Sequence, residues 1–331
     1  MIHVMKVNLQ AYTRELISLP CNLCGGVEVT PFCHSEKYGL PLTAVMCKGC
    51  GLMFINPRPA DDQYAELNKA DYRKAAIGTD SGLNHIFNKQ YQHAEKTMIP
   101  LVREQIKLPV KSLLDIGCCN GGTMAAWMKY DAKIVTYGVE PVIRVAEDAT
   151  RRTGSQIFQG LFEDFVTDKK FDLIICAQTL NHTLDPKGNL MKIKTMLSPN
   201  GLLFLSLYDA VSTVLNRPIN QMVEIMHPFM FNDESTRYLL AKTGFEIVNI
   251  NSPRFDGKKM KARDIMRIMT ARILVLARPA LSPPVTVSQP ATSKILKRLR
   301  HNQEFYQRWA ARIEGWRQPN IWRRIYRSLN R

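Results

Sequence analysis

From residue 111 onward, short apolar runs alternate with stretches of mixed polarity. Residues 112–116, 134–139, 155–158, 171–176 and 201–207 each have the length and apolar character of a buried strand. Residues 123–130 and a segment running through Arg151 read as helices between them. Strand, turn, helix, strand in this order predicts an α/β fold built on a doubly wound, Rossmann-like sheet. Ahead of it, residues 64–98 read as mostly helical with a break at 78–82, and residues 27–29 and 44–46 as short ribbon strands. Beyond it, the Pro- and Ser-rich stretch 281–290 reads as a linker, residues 294–314 as an amphipathic helix, and Pro319 as the interruption of a second. The expected organisation is a small module at 17–57, a helical connector at 58–110, the α/β domain at 111–280 and a helical extension at 281–331.

The first module carries its own chemistry. Cys21-Asn-Leu-Cys24-Gly25 and Cys47-Lys-Gly-Cys50-Gly51 repeat one pattern. A C-x-x-C turn presents two sulfurs to one ion, and two such turns complete a tetrahedral Zn2+ site. The glycine after each pair permits the tight, positive-φ backbone that closes the knuckle. So small a segment buries too little apolar surface to fold well without such a staple. Cys33 and His34 lie between the pairs as alternative ligands, and a redox role for a C-x-x-C is the competing reading. Four thiolates leave no open coordination position, so the expected role of the zinc is structural, shaping a wall or lid.

Composition changes the picture in one respect. The 331 residues are 45% apolar and 22% charged, the balance of a folded chain, which excludes disordered and fibrous classes. The net charge of +16 is unevenly spread. Residues 1–250 hold 26 Lys/Arg against 25 Asp/Glu, whereas residues 251–331 hold 19 against 4. The body is neutral and the extension is basic. There is no apolar run of about 20 residues and no signal-like apolar core at the start, so the expected location is cytoplasmic.

The first strand of the α/β domain ends in Asp115-Ile-Gly117-Cys-Cys119-Asn-Gly121, and the second in Glu140-Pro141. Ligands of such sheets bind at the carboxyl ends of the strands, where glycines let the backbone approach and an acidic residue accepts ribose hydroxyls. An acid ahead of the first glycine repels a pyrophosphate but suits a cationic cofactor, which favours S-adenosyl-L-methionine (SAM) over NAD. Over roughly 110–280 the sequence resembles the class I SAM-dependent methyltransferases. Asp115, Gly117, Cys119 and Gly121 resemble the family's first motif, with Cys119 in place of the usual middle glycine. Glu140 and Pro141 resemble the second, Phe162 occupies the place of the third beside adenine, and Gln178 lies in the fourth. Residues 197–204 match the turn into the fifth strand, 244–247 the sixth strand and 273–276 the reversed seventh. The resemblance implies SAM as cofactor, bound by Asp115, Gly117, Cys119, Gly121, Glu140, Pro141, Phe162 and Gln178.

Methyl transfer is an in-line displacement in which positioning supplies much of the rate, and a base is needed only where the acceptor holds its proton tightly. His182, after the fourth strand, and His227 are the expected catalytic residues; Tyr208 and Asp209, ending the fifth strand, are further candidates, with a turn-capping role for Asp209 as the alternative. A four-Cys module ahead of this core is similar to the sugar C-methyltransferases. In that group a Glu-His pair and a Tyr act as acid and base, but aligning 224–231 through His227 puts Met226 and Met230 where the Glu and Tyr belong, and the group's third domain is absent. The expected function is therefore methyl transfer to a small-molecule acceptor, a sugar or a nucleotide- or lipid-linked carbohydrate, with O- and C-methylation both open. The alternatives are an RNA methyltransferase using the zinc module and basic tail, and a non-catalytic interaction protein. Lys294, Lys297, Arg298 and Arg300, followed by Trp309, Trp316 and Trp322, make the tail a candidate for contact with an anionic membrane, for nucleic acid, or for packing on the body.

Overall fold

A computed structural model describes residues 15–35, 41–70, 80–106, 109–252, 271–281 and 289–316. At the N-terminal end β1 (Leu16–Ile17), β2 (Val29–Ser35), β3 (Leu42–Cys47), β4 (Met53–Ile55) and β5 (Arg58–Pro59) follow one another. β2 and β3 form an antiparallel hairpin, longer than the two short strands expected, and β4 adds to its other edge. Helices Asp61–Ala70, Asp80–His93 and Ile99–Gln105 occupy the expected helical stretch, the last two joined through a π-turn at Ala94–Met98. Of the expected break at 78–82, residues 80–82 instead form the first turn of helix Asp80–His93, and 78–79 lie outside the described residues.

The apolar runs of the α/β domain become β6 (Ser112–Ile116), β7 (Val135–Glu140), β8 (Gln156–Gln159), β9 (Phe171–Ala177) and β10 (Leu197–Tyr208). These five pair in parallel. After β11 (Phe229–Met230) come β12 (Phe245–Asn251) and β13 (Arg272–Pro279), and β13 inserts antiparallel between β10 and β12. The seven-stranded sheet has the order β12-β13-β10-β9-β6-β7-β8. This is a mixed, Rossmann-like sheet: the parallel part is as the sequence pattern predicts, and the reversed strand is as the family resemblance implies. Leu113, Leu114, Leu173, Ile174, Ile175, Leu203, Phe204 and Leu205 are buried on both faces, which is why these strands read as unbroken apolar runs.

One face is covered by helix Gly122–Tyr130 with Trp127, and by Met98, Ile99 and Val102. The other is covered by helices Pro186–Met196 and Asp233–Lys242, and the apolar cluster there also contains Cys21, Leu23, Cys47, Cys50 and Leu52 of the first module. The module is thus joined to the domain through a common core. It also shares a sheet, because β11 pairs antiparallel with β4 and completes the order β11-β4-β3-β2.

Helix Thr292–Trp316 realises the expected amphipathic segment. Ile295, Leu299 and Tyr306 are buried on the body. Arg298 pairs with both carboxylate oxygens of Glu234, at 2.5 and 3.2 Å, and Asn302 Nδ2 donates to the Val211 carbonyl at 2.8 Å. At least one face of the extension is therefore a packing arm. The stretch around Pro319 and Trp322 lies outside the described residues.

Candidate functional site

The turn after β6 is built by backbone bonds to the end of β7. The N–H groups of Gly117 and Cys118 both donate to the Val139 carbonyl, at 2.8 and 3.1 Å. Gly117 adopts φ +73°, and a Cβ there would collide with the side chain of Thr179, whose hydroxyl donates to the Ile116 carbonyl at 2.9 Å. Only glycine satisfies both constraints. Cys119, at the usual glycine position, is held at φ +51°, a left-handed conformation disfavoured by a side chain. Its side chain avoids the ligand side by packing with Leu83 and Val145. Gly121 begins helix Gly122–Tyr130 and sits against Thr153 and Ala149 of the neighbouring helix.

Two buried acids stand behind this turn. Glu140 is fully buried, and its carboxylate accepts from the N–H groups of Cys119 at 3.1 Å and Val142 at 3.0 Å. Asp115 is also buried, and burial, reinforced by the Glu140 charge, pushes its carboxyl up to about 8. Its Oδ2 has no hydrogen-bond partner among the described residues. An orphaned buried carboxyl beside a second acid is an environment that a cation would relieve. Gln178, at the end of β9, is a second non-glycine residue with positive φ, +59°. Its Nε2 donates to Ser206 Oγ at 3.0 Å while its Oε1 is buried without a partner. Strained backbone and unsatisfied polar atoms cluster at this end of the sheet.

A cavity opens beside the turn, at the carboxyl ends of β6, β7 and β9. Its walls include Gly117, Pro141, Phe162, Glu163, Thr179 and His182. Of the eight residues expected to hold the cofactor, Gly117, Pro141 and Phe162 line this cavity directly, while Asp115, Cys119, Gly121, Glu140 and Gln178 are not among its lining residues. A second cavity adjoins it, with Asn181, Tyr208, Arg217, Glu224, His227 and Met230 in its walls. His182, in the wall of the first, and His227, in the wall of the second, lie edge to face with ring centroids 4.4 Å apart. His182 Nδ1 is 2.9 Å from the Met226 carbonyl. A carbonyl only accepts, so Nδ1 carries a proton in this contact.

Read along the sequence, the position of an acidic partner for His227 is taken by Met226. The fold supplies another carboxylate: Glu224 Oε2 is 3.7 Å from His227 Nδ1. The Tyr208 ring stands 6.5 Å from that of His227, although the sequence alignment put Met230 in place of a tyrosine. Thr179 and Arg217 escape sequence reasoning because no local pattern marks them, whereas the i, i+3 spacing of Glu224 and His227 was a signal that could have found Glu224. Asp209 takes the capping role, accepting from the Val211 N–H at 3.1 Å and the Ser212 hydroxyl at 2.6 Å.

The four module cysteines converge. Their sulfurs all lie within 4.8 Å of one another, with Cys21–Cys50 and Cys24–Cys47 each at 3.4 Å. Hydrogen bonds from Cys21 and Cys50 pull the Cys47 thiol down to about 2, so the cluster favours a thiolate. Both knuckles close alike, with Gly25 N–H on the Cys21 carbonyl at 2.8 Å and Gly51 N–H on the Cys47 carbonyl at 3.0 Å. This donor set fits a tetrahedral Zn2+ ion. The intervening Cys33 and His34 point elsewhere: Cys33 joins an apolar cluster, and His34 Nδ1 bonds Thr43 Oγ1 at 3.1 Å.

Residues 87–250 match the family model described as "Methyltransferase domain". The chain is 34% identical over 106 residues to a ubiquinone biosynthesis O-methyltransferase of Actinobacillus pleuropneumoniae serotype 7 (strain AP76), covering 29% of this chain and 45% of that protein. It is 29% identical over 130 residues to the protein of that name from Histophilus somni (strain 2336), covering 36% and 54%. The chain thus spans about half the length of these curated relatives. The structure of the plantazolicin methyltransferase BpumL in complex with SAH superposes with a TM-score of 0.51 at 14% identity, over 66% of this chain and 94% of that one, a likeness of fold. Residues 87–250 are therefore similar to a methyltransferase domain in sequence and in fold.

Proposed function

We propose that the protein transfers the methyl group of SAM to a small-molecule acceptor, with SAM in the cavity beside Gly117 and the acceptor in the cavity walled by His227. The observation that carries this reading is the junction of the two cavities at the His182–His227 pair, with the orphaned carboxyl of Asp115 behind the glycine turn. Bound SAM supplies an electrophilic methyl group on a sulfonium. Asp115 and Glu140 give the site negative character suited to that cation and to ribose hydroxyls, Gly117 and Pro141 let the backbone approach, and Phe162 offers a face to adenine. Cys119, Gly121 and Gln178 hold the turn and the end of β9 around them.

His182, oriented by its Nδ1 contact with the Met226 carbonyl, and His227, with Glu224 beside it, are the candidates to take the acceptor's proton. Histidine beside a carboxylate becomes a stronger base, because the negative charge stabilises the imidazolium. Cys21, Cys24, Cys47 and Cys50 hold a structural Zn2+ ion. The acceptor proposed is a sugar or a nucleotide- or lipid-linked carbohydrate, methylated on oxygen or carbon. Exposed Lys294, Lys297, Arg300 and Arg308 suit contact of the last helix with an anionic membrane surface.

Isothermal titration of zinc-loaded protein with SAM and with S-adenosylhomocysteine (SAH) tests the cofactor site. Micromolar binding is expected, weakened at least tenfold in Glu140→Ala. Absence of binding to both ligands by folded protein would overturn the reading.

A further inference from the structure

The second cavity contains a charge that its own walls do not answer. Arg217 lines it and is half-buried, and its Nε donates to Oδ1 of the neighbouring Asn216 at 3.3 Å. Among the described residues no carboxylate lies within ion-pair distance of it. The carboxylate in the same walls, Glu224, is turned to His227. A guanidinium does not shed its proton to escape a poorly solvated position, so a half-buried one without a counter-charge is held at a cost. A second guanidinium stands at the same cavity's edge, with Arg272 Cζ 5.8 Å above the ring of Tyr208, which is itself in the wall. The backbone around Arg217 is fixed from outside, because the Ile219 N–H donates to Gln303 Oε1 of the last helix at 2.7 Å.

We infer that the acceptor carries an oxyanion, a phosphoryl or carboxylate group, and that Arg217 binds it while the methyl-accepting atom faces His227. This rests on the assignment of the second cavity to the acceptor. The planar fork of a guanidinium matches the paired oxygens of either group, so Arg217 selects for an anionic acceptor and fixes its direction in the cavity. The basic exposed face of the last helix adds an attractive field outside the same region.

The test titrates inorganic pyrophosphate and succinate, as phosphoryl and carboxylate probes, into zinc-loaded protein with and without saturating SAH. Wild type should bind at least one probe with a millimolar or tighter dissociation constant. Arg217→Gln should weaken that binding at least tenfold and Arg217→Lys less, with SAH affinity within twofold of wild type in both. Arg278→Gln removes the same charge from a surface pair with Glu246 and should leave probe binding unchanged. The relative strength of the two probes identifies the kind of oxyanion. No binding of either probe by wild type, equal binding by Arg217→Gln, or an equal loss in Arg278→Gln would overturn the inference. Loss of SAH binding by wild type would instead sink the methyltransferase reading, while the titrations without SAH still decide the role of Arg217.

Discussion

Asp115 is the residue at which charge and function are most directly linked. Its carboxyl ionises near 4 in an unfolded chain and near 8 in the fold, where burial and Glu140 oppose the negative charge. Between those values the folded state holds the extra proton, so this group's contribution to stability is lost as pH rises through that window. Asp115→Asn keeps the shape and removes the titration. Its melting temperature should gain on that of wild type from pH 5 to pH 9 in differential scanning calorimetry. A cationic ligand prefers the carboxylate, so SAM affinity in wild type should rise with pH up to about 8 and then level, whereas Asp115→Asn should bind weakly at every pH. A flat wild-type profile would remove Asp115 from the site. Cys119 poses a milder question. Its left-handed backbone costs on the order of 1 kcal/mol in a non-glycine residue, partly offset by packing with Leu83 and Val145. Cys119→Gly should leave SAH affinity within about twofold of wild type, because Cys119 is not among the residues lining the cavity and packs with Leu83 and Val145.

Single elements carry the first module onto the domain. Asn232 caps helix Asp233–Lys242: its Oδ1 accepts the Ser235 N–H at 2.9 Å, and Ser235 Oγ accepts the Asn232 N–H at 3.1 Å. The same side chain donates from Nδ2 to the Gly51 carbonyl in the second Cys knuckle, at 3.1 Å. On the first knuckle, Asn22 Nδ2 donates to Asp185 Oδ1 at 2.8 Å, and its Oδ1 accepts the Lys187 N–H at 3.2 Å. Each knuckle is therefore fastened to a helix N-terminus. Asn232→Ala should cost about 1–2 kcal/mol in urea unfolding, the usual cost of losing a cap, and Asn232→Ser should recover part of it while leaving Gly51 unbound. No loss in the alanine variant would show that neither bond contributes.

For the whole molecule, the consequence is that the metal cluster and His227 belong to one mechanical unit. β4 follows the second knuckle and pairs with β11, directly after His227 and Pro228, and the Ile55 N–H donates to the Pro228 carbonyl at 2.9 Å. A Zn2+ ion held by the four cysteines would be the counter-charge their converging sulfurs share, so its loss would loosen the knuckle that β4 follows. Cys47→Ser should release zinc, lower the melting temperature and increase hydrogen exchange in residues 225–231. Unchanged exchange in 225–231 would show that the module and the His227 segment are uncoupled.

The strand runs, the glycine turn and the paired C-x-x-C knuckles were legible in the sequence because each depends on a few neighbouring residues. Apolar run length, a glycine free of Cβ, and sulfurs one turn apart are local properties. The central strands accordingly fall within a few residues of their expected bounds, and the reversed β13 stands where the pattern near 273–276 implied it. Local pattern did not reach the insertion of β11 beside β4 or the placing of Arg217 in a cavity wall without a counter-charge. Those depend on which distant segments meet, and that is decided by burying apolar surface from several elements together. The sequence by itself determined a glycine turn after the first strand and a cluster of four cysteines; only the tertiary structure decided that the turn opens on a cavity and that the cysteine module shares a core and a sheet with the domain, because that depends on which distant apolar surfaces are buried together.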